Sequence, residues 1–374
     1  MATEVLADDK ALREVRREHA FAQMEADSID ALLLGREANA RYISGAQRLW
    51  TAGTRPYGPG CVVVRSTRAI HLVSTWDEGI PDDIPHENLF GITWNPGNLF
   101  AWLGGIDGLG GSVCIGTDSL TPRFAQILPK VYPSASFVDA EPMLEALRKV
   151  KTPEELEALG RSIAVTQGAL DAAVAALRPG VSERHLAAVF MEAMAAQGVT
   201  TPATQRVATV QRNTASPTRR GTDPVAPQDL VTFDAGVVVG GYIAEIGRTW
   251  PADQSAVDAS VRALYGDADA LWSALLAACR PGSSCSALLK TYEAMGHRLP
   301  ATPVACGLGL GFDVPVVSAL LPKTAAAEQL LPGMVLAVTA TVSDEARRTV
   351  TRKDVVHIGP DGPEVLSNSP HFHA

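Results

Sequence analysis

Hydrophobic residues are distributed along this 374-residue chain in two textures. Up to about position 150, short apolar runs (ALLLG at 31–35, CVVV at 61–64, AIHLVS at 69–74, SVCIG at 112–116) alternate with helix-like polar stretches, the first being a charged amino-terminal helix. Runs this short and this apolar fit strands covered on both faces, so the pattern predicts an α/β domain around a buried mixed or parallel sheet. The glycine stretch GGIDGLGG at 104–111 lacks the strand, GxGxxG, helix order of a nucleotide loop and reads as a turn.

The texture changes at 150–155. Thr152 can cap a helix whose third residue is Glu155, with Pro153 in its first turn, and this capping box predicts a helix start and a domain boundary. Domains are therefore expected at 1–150 and 151–374. Helical periodicity covers 152–177 and 182–197; strand signals follow at 231–250, 335–342 and 354–359, with helices around 256–279 and 283–297 between them. The second domain is expected to be α+β, with helices on one face of a strongly bent antiparallel sheet.

Composition narrows the function. With 46% apolar and 20% charged residues the chain is globular, and no apolar run approaches the roughly 20 residues of a membrane helix. The amino terminus lacks the apolar core of a secretory signal, so a cytoplasmic location with no membrane partner is expected. A net charge of −9 argues against nucleic acid as a partner. Five cysteines without a CxxC pair read as reduced core thiols; Cys306, before a glycine loop, is a nucleophile candidate without a visible histidine.

Four segments, in order, resemble the pita-bread family of creatinase, prolidase and aminopeptidase P: VKTPEELEAL at 150–159, FDAGVVVGGYIAEIGRTW at 233–250, GLGLGF at 307–312 and LLPGMVLAV at 330–338. The resemblance implies a creatinase-like N-terminal α/β domain followed by a pita-bread domain. It also implies a site where Asp, Asp, His, Glu and Glu hold two metal ions. Carried over position by position, these fall on Asp234, Glu245, Leu308, Thr339 and Lys353. Leucine offers no donor atom, threonine is a poor neutral ligand, and lysine brings positive charge where a cation would sit. Repulsion between unit charges at about 4 Å in a partly buried site is worth ~4 kcal/mol. The expectation is a chain using neither metal nor other cofactor. The family's shuttling histidine is missing too, since Asn213-Thr214-Ala215-Ser216-Pro217 is followed by Thr218. Creatinase, itself metal-free, keeps that histidine.

The catalytic candidates are Asp234, Glu245 and Lys353. Two neighbouring carboxylates raise one pKa unless a cation lies between them, for which Lys353 and Arg248 are candidates. Lysine is scarce here, seven against 25 arginines. An ammonium can act as a fixed electrophile or, with a depressed pKa, as a base. The alternatives are a surface lysine on a slipped strand and an ion-pair network that only holds the sheet. Arg212, Arg219, Arg220, Arg248 and Arg352 fall in segments that line the family's cavity and suit a carboxylate-bearing substrate. Tyr242, Leu308, Thr339 and His357 complete the expected lining, although a structural histidine is the plainer reading of His357. In creatinase the segment after a Y-x-S-G turn reaches the partner's substrate. Here Tyr42-Ile43-Ser44-Gly45 is followed by Arg48, Trp50, Arg55 and Tyr57, which implies a homodimer in which Trp50, Arg55 and Tyr57 close the opposite pocket; the alternative is that they pack their own domain.

Three functions follow. The first is a metal-independent, creatinase-like hydrolase or lyase acting on a C–N or related bond of a small polar, carboxylate-bearing molecule. The second is a non-catalytic pseudoenzyme binding a peptide or small ligand. The third is a metal peptidase with substitute ligands.

Overall fold

In the computed structural model, which describes residues 9–46, 58–91, 93, 95–204, 207–211, 222–321 and 327–372, the run ALLL forms β1 (Ala31–Leu34) with all four residues buried. Residue exposure is zero from Ala31 to Leu34, as a strand covered on both faces requires. The other apolar runs become β2 (Cys61–Val64), β3 (Ile70–Val73) and β5 (Cys114–Thr117); β4 (Leu89–Phe90) and β6 (Ser136–Asp139) extend the edges. The order is β4-β3-β2-β1-β5-β6, with β1–β2 and β2–β3 antiparallel and β3–β4, β1–β5 and β5–β6 parallel. This mixed sheet belongs to one compact unit, Asp8–Arg148; a second holds Lys149–Ala374. GGIDGLGG forms no phosphate loop: it runs from the end of the helix Pro96–Gly104 through turns, with Gly108 and Gly111 at positive φ.

The second unit opens on the expected capping box. Glu155 N donates to Thr152 Oγ1 at 3.3 Å and Thr152 N donates to Glu155 Oε2 at 3.1 Å, starting the helix Pro153–Ala175. A second helix, Glu183–Ala196, is capped by Ser182. The sheet follows: β7 (Ala208–Gln211), β8 (Leu230–Ala235), the hairpin β9 (Val238–Val239) and β10 (Tyr242–Ile243), β11 (Ile246–Pro251), β12 (Ala305–Gly309), β13 (Gly311–Val317), β14 (Val335–Ser343), β15 (Thr349–Ile358) and β16 (Pro363–Val365). Apart from the separate β9–β10 pair, these form one curled antiparallel sheet in the order β13-β12-β14-β15-β11-β8-β7, with β16 paired to β15.

Helices cover one face. Ala259–Ala278, started at Ala259 because Asp258 caps it, lays Leu264, Leu271, Trp272 and Leu275 on Leu336, Val338, Ala340, Val342, Val350 and Val356. Each such Leu or Val buried fully contributes roughly 1.5–3 kcal/mol. The shorter helix Ser286–Ala294 adds Leu288 and Tyr292. These contacts use the even-numbered residues of β14 and β15, so strand alternation sends the odd-numbered ones to the opposite face.

Candidate active site

On that opposite face, β8, β11 and β15 lie side by side. Gly247 stands in register with Asp234 on one flank and Lys353 on the other, and Thr339 of β14 pairs with Lys353. Glu245, two residues before Gly247, joins the same face. The Lys353 ammonium donates to Asp234 Oδ1 at 2.7 Å and Oδ2 at 2.8 Å, and to Glu245 Oε2 at 3.0 Å. Gly247 makes room for this. A Cβ there would stand 3.0 Å from the Lys353 Cβ and 3.5 Å from Asp234 Oδ1.

The site is partly dry: 11% of the Lys353 side chain and 13% of the Glu245 side chain are exposed, against 39% for Asp234. Burial works against the Lys353 ammonium, but the Asp234 and Glu245 carboxylates outweigh it and raise its pKa above the ordinary value. The raised direction keeps the ammonium charged, the opposite of the depressed pKa that a lysine base would need. Burial, helped by the like charge of Asp234, raises the Glu245 carboxyl above its ordinary value, and Lys353 offsets this only in part. Both directions stand together because one ammonium serves two acids, holding Asp234 by two oxygens and Glu245 by one.

The donor set does not fit two divalent cations. The Nζ of Lys353 already lies 2.7–3.0 Å from the carboxylate oxygens that would bridge them. Leu308 is a buried hydrocarbon in β12, and the Thr339 carbonyl accepts the Tyr292 hydroxyl at 2.8 Å. Among the described residues, no group of three or more His, Cys, Asp or Glu could hold a metal ion. Burial, with Glu245 adding to it, pushes the Cys306 thiol up to about 11, which disfavours the thiolate that a nucleophile would need.

Four of the expected pocket residues lie elsewhere. Arg248 follows Gly247 in β11, so alternation turns it to the helix-covered face. There it pairs with the buried Asp354 at 2.5 Å and donates to the Lys353 carbonyl at 2.6 Å. Arg352 likewise turns away from its neighbour Lys353; it bonds Asp269 and Asp354, both at 3.1 Å, and stacks over Trp272. Tyr242 is buried, its hydroxyl donating to Glu155 Oε1 at 2.9 Å, which ties the hairpin to the first helix of this unit. His357 shares the face of Lys353 but stands four residues along β15, roughly 13 Å at ~3.3 Å per residue, with Nδ1 3.1 Å from Glu364 Oε2. Arg55, Tyr57, Trp50 and Arg212, together with Arg48, Arg219 and Arg220, fall outside the described residues.

A threonine row beside the triad escaped the sequence reading. Thr232 Oγ1 is 2.8 Å from Thr249 Oγ1, Thr351 N donates to Thr249 Oγ1 at 2.9 Å, and Thr351 Oγ1 is 3.2 Å from Thr341 Oγ1. It places four hydroxyls on the Lys353 face, one pleat along. The signal was present: Thr232 and Thr249 each lie two residues from the triad's own row.

Residues 157–360 match the model of metallopeptidase family M24, and residues 16–150 match the creatinase/prolidase N-terminal domain. A Lactobacillus helveticus Xaa-Pro dipeptidase is 33% identical over 135 residues, 35% of this chain and 37% of its own length. The putative dipeptidase YkvY of Bacillus subtilis is 25% identical over 257 residues, 68% of this chain and 70% of its own. The prolidase structure of Pyrococcus horikoshii superposes with a TM-score of 0.75 at 20% identity, covering 96% of this chain and all of the other; that of an X-Pro aminopeptidase from Thermotoga maritima gives 0.75 at 16%, covering 95% and 98%. The fold, the matched motifs and both family models agree: the chain belongs to metallopeptidase family M24, the pita-bread creatinase and prolidase family, whose peptidases hydrolyse C–N peptide bonds.

Proposed function

We propose that the chain is a metal-independent hydrolase or lyase that cleaves a C–N or related bond in a small, polar, carboxylate-bearing molecule. The observation that supports this is the Lys353 ammonium seated between Asp234 and Glu245, within 2.7–3.0 Å of both. In this reading Lys353 supplies the fixed positive charge. A permanent cation in a partly dry site stabilises negative charge developing on a carbonyl oxygen of the substrate without reorganising. Glu245, whose raised pKa brings its proton exchange toward neutral pH, serves as general base toward water or a substrate C–H and then as acid toward the departing nitrogen. Asp234, the most exposed of the three, holds the ammonium in place and presents its carboxylate to the pocket.

The names of the relatives point to dipeptides as the first substrates to try. The experiment is turnover of a panel of dipeptides and N-acyl amino acids with a chelator present. Turnover that survives the chelator and is lost in Glu245→Gln supports the reading; turnover that appears only on adding a divalent metal contradicts it. A second reading, ligand binding without chemistry, is favoured by one feature. Lys353 already spends its donors on two carboxylates, and ligand binding unaccompanied by turnover across the panel would select it. The homodimer rests on the sequence resemblance of the Arg55-Pro56-Tyr57-Gly58 segment alone, and a monomer in sedimentation would remove it.

A further inference from the structure

On the face of the triad, one pleat along from Asp234, threonines stand side by side on neighbouring strands. Thr209 of β7 is in register with Thr232 of β8, and Thr232 with Thr249 of β11, so strand alternation turns all three toward the side of Asp234. Their hydrogen bonds fix where the hydroxyl protons point. Thr349 N donates to Gln211 Oε1 at 2.8 Å, which orients the amide and makes Gln211 Nε2 the donor to Thr232 Oγ1 at 2.7 Å. Thr249 Oγ1 accepts from Thr351 N at 2.9 Å and lies 2.8 Å from Thr232 Oγ1. Thr249 is only 2% exposed. If Thr232 donated to it, the Thr249 proton would be buried without an acceptor among the described residues, a cost of about 1–3 kcal/mol. Thr249 therefore donates, Gln211 and Thr249 occupy both lone pairs of Thr232 Oγ1, and the Thr232 proton turns to the open face. Thr232 is half-buried and can meet a guest only as a donor. Thr209, also half-buried, makes no side-chain hydrogen bond among the described residues, so its hydroxyl is available beside that of Thr232.

Opposed residues of an antiparallel pair hold their Cβ atoms about 4.5–5.5 Å apart, a spacing at which two hydroxyls can each reach one oxygen of the same carboxylate. The nearest negative charge, on Asp234, is met by two hydrogen bonds from Lys353, which lets an anion approach this row. We propose that Thr209 and Thr232 clamp the carboxylate of the substrate and thereby set its length. This rests on the hydrolase or lyase reading above and deepens it. Thr232 stands two residues along β8 from Asp234, roughly 6.6–6.8 Å at ~3.3–3.4 Å per residue, and the Lys353 ammonium lies against Asp234. One residue of extended chain spans at most about 3.3–3.6 Å. A carboxylate on the clamp and a carbonyl at Lys353 thus belong to a molecule with about two residues' length between them. N-acyl dipeptides and tripeptides span both ends; a dipeptide or an N-acyl amino acid reaches only one and is the poorer substrate.

The test is binding of 7-oxooctanoate to the full chain by calorimetry and saturation-transfer NMR. Its ketone and carboxylate carbons are as many bonds apart as the acyl and terminal carbons of an N-acyl dipeptide, and it has no C–N bond to cleave, so binding is read whether or not the chain has the activity proposed. The controls are 7-oxooctanamide, which lacks the charge, and 4-oxopentanoate, which has the separation of an N-acyl amino acid. The acid is expected to bind saturably and each control about tenfold more weakly, since one loses the charge-assisted hydrogen bonds and the other cannot span both ends. Thr209→Val and Thr232→Val should each weaken the acid roughly five- to tenfold and leave the amide nearly unchanged, while Thr232→Ser, which keeps the hydroxyl, should bind as the native chain does. Thr209→Val breaks no hydrogen bond among the described residues, so it decides the matter if Thr232→Val fails to fold. No saturable binding of 7-oxooctanoate, equal affinity for acid and amide, or an acid affinity that both valine variants leave intact overturns the clamp. Equal affinity for 4-oxopentanoate overturns the assigned length. Acid binding that depends on Thr209 and Thr232 in a chain that turns over no C–N substrate would uphold the clamp and remove the hydrolase or lyase reading.

Discussion

Replacing Lys353 with Met keeps most of the side-chain volume and removes the one charge that reconciles Asp234 with Glu245. Breaking a buried pair by deleting one partner costs about 3–5 kcal/mol when both groups are fully buried. Glu245 qualifies at 13% exposure, but Asp234 at 39% is screened by solvent, so the lower end applies, about 3 kcal/mol near neutral pH. For a unit of this size that is a fall in Tm of roughly 6–12 °C. The pH dependence is more diagnostic than the size. Burial already raises the Glu245 pKa, and losing Lys353 raises it further. A carboxyl whose folded pKa lies above its unfolded one destabilises the fold progressively as pH rises through that interval. The penalty of Lys353→Met should therefore be largest at pH 7 to 8 and shrink as pH falls toward the ordinary Glu value of 4.5. Urea unfolding from pH 4 to 8 measures it, and adding Glu245→Gln should restore much of the loss. A Lys353→Met protein as stable as the native one at every pH, or a penalty that Glu245→Gln leaves untouched, would refute the buried-triad account.

Gly247→Ala would press a methyl to 3.0 Å from the Lys353 Cβ, and such overpacking should cost about 1–3 kcal/mol in denaturant unfolding. Tyr242→Phe leaves buried Glu155 without its 2.9 Å donor and should lower stability by about 1–3 kcal/mol while ligand affinity at the triad is unchanged, which calorimetry can check. The native ion pair should hold at alkaline pH. The Lys353 pKa is raised above its ordinary 10.5, so its stabilisation is complete below that value and is lost only as pH climbs through the folded pKa, an order that alkaline unfolding curves read directly. With its thiol at about 11, Cys306 in the folded protein should react with a disulfide reagent at pH 7.5 some hundred-fold or more slowly than an exposed cysteine of pKa about 8.5, as peptide mapping would show.

Much of the fold could be read from particular residues. Thr152, Pro153 and Glu155 announced the helix that opens the second unit, and the four short apolar runs announced four strands of the first sheet. The triad was legible because family spacing carried Asp234 of β8, Lys353 of β15 and Glu245, just before β11, onto the positions of the family's ligands. The misplacements of Arg248 and Arg352 share one physical cause. Adjacent residues of a strand face opposite ways, so Arg248 and Lys353's neighbour Arg352 could not line the same face as Gly247 and Lys353, and alternation within the chain already implied this. Tyr242 was harder: its hydroxyl is claimed by Glu155, 87 residues away, and no local pattern announces that contact.

The central claim is that an ammonium stands where the family's metals would be held. Elemental analysis of the purified chain, after incubation with manganese, cobalt and zinc followed by desalting, tests it most directly, with Tm measured alongside. Lys353 between Asp234 and Glu245, with Leu308 and Thr339 at the remaining positions, predicts no stoichiometric metal and no change in Tm on adding metal or chelator. One or more equivalents of retained metal, lost together with stability on chelation, would contradict it.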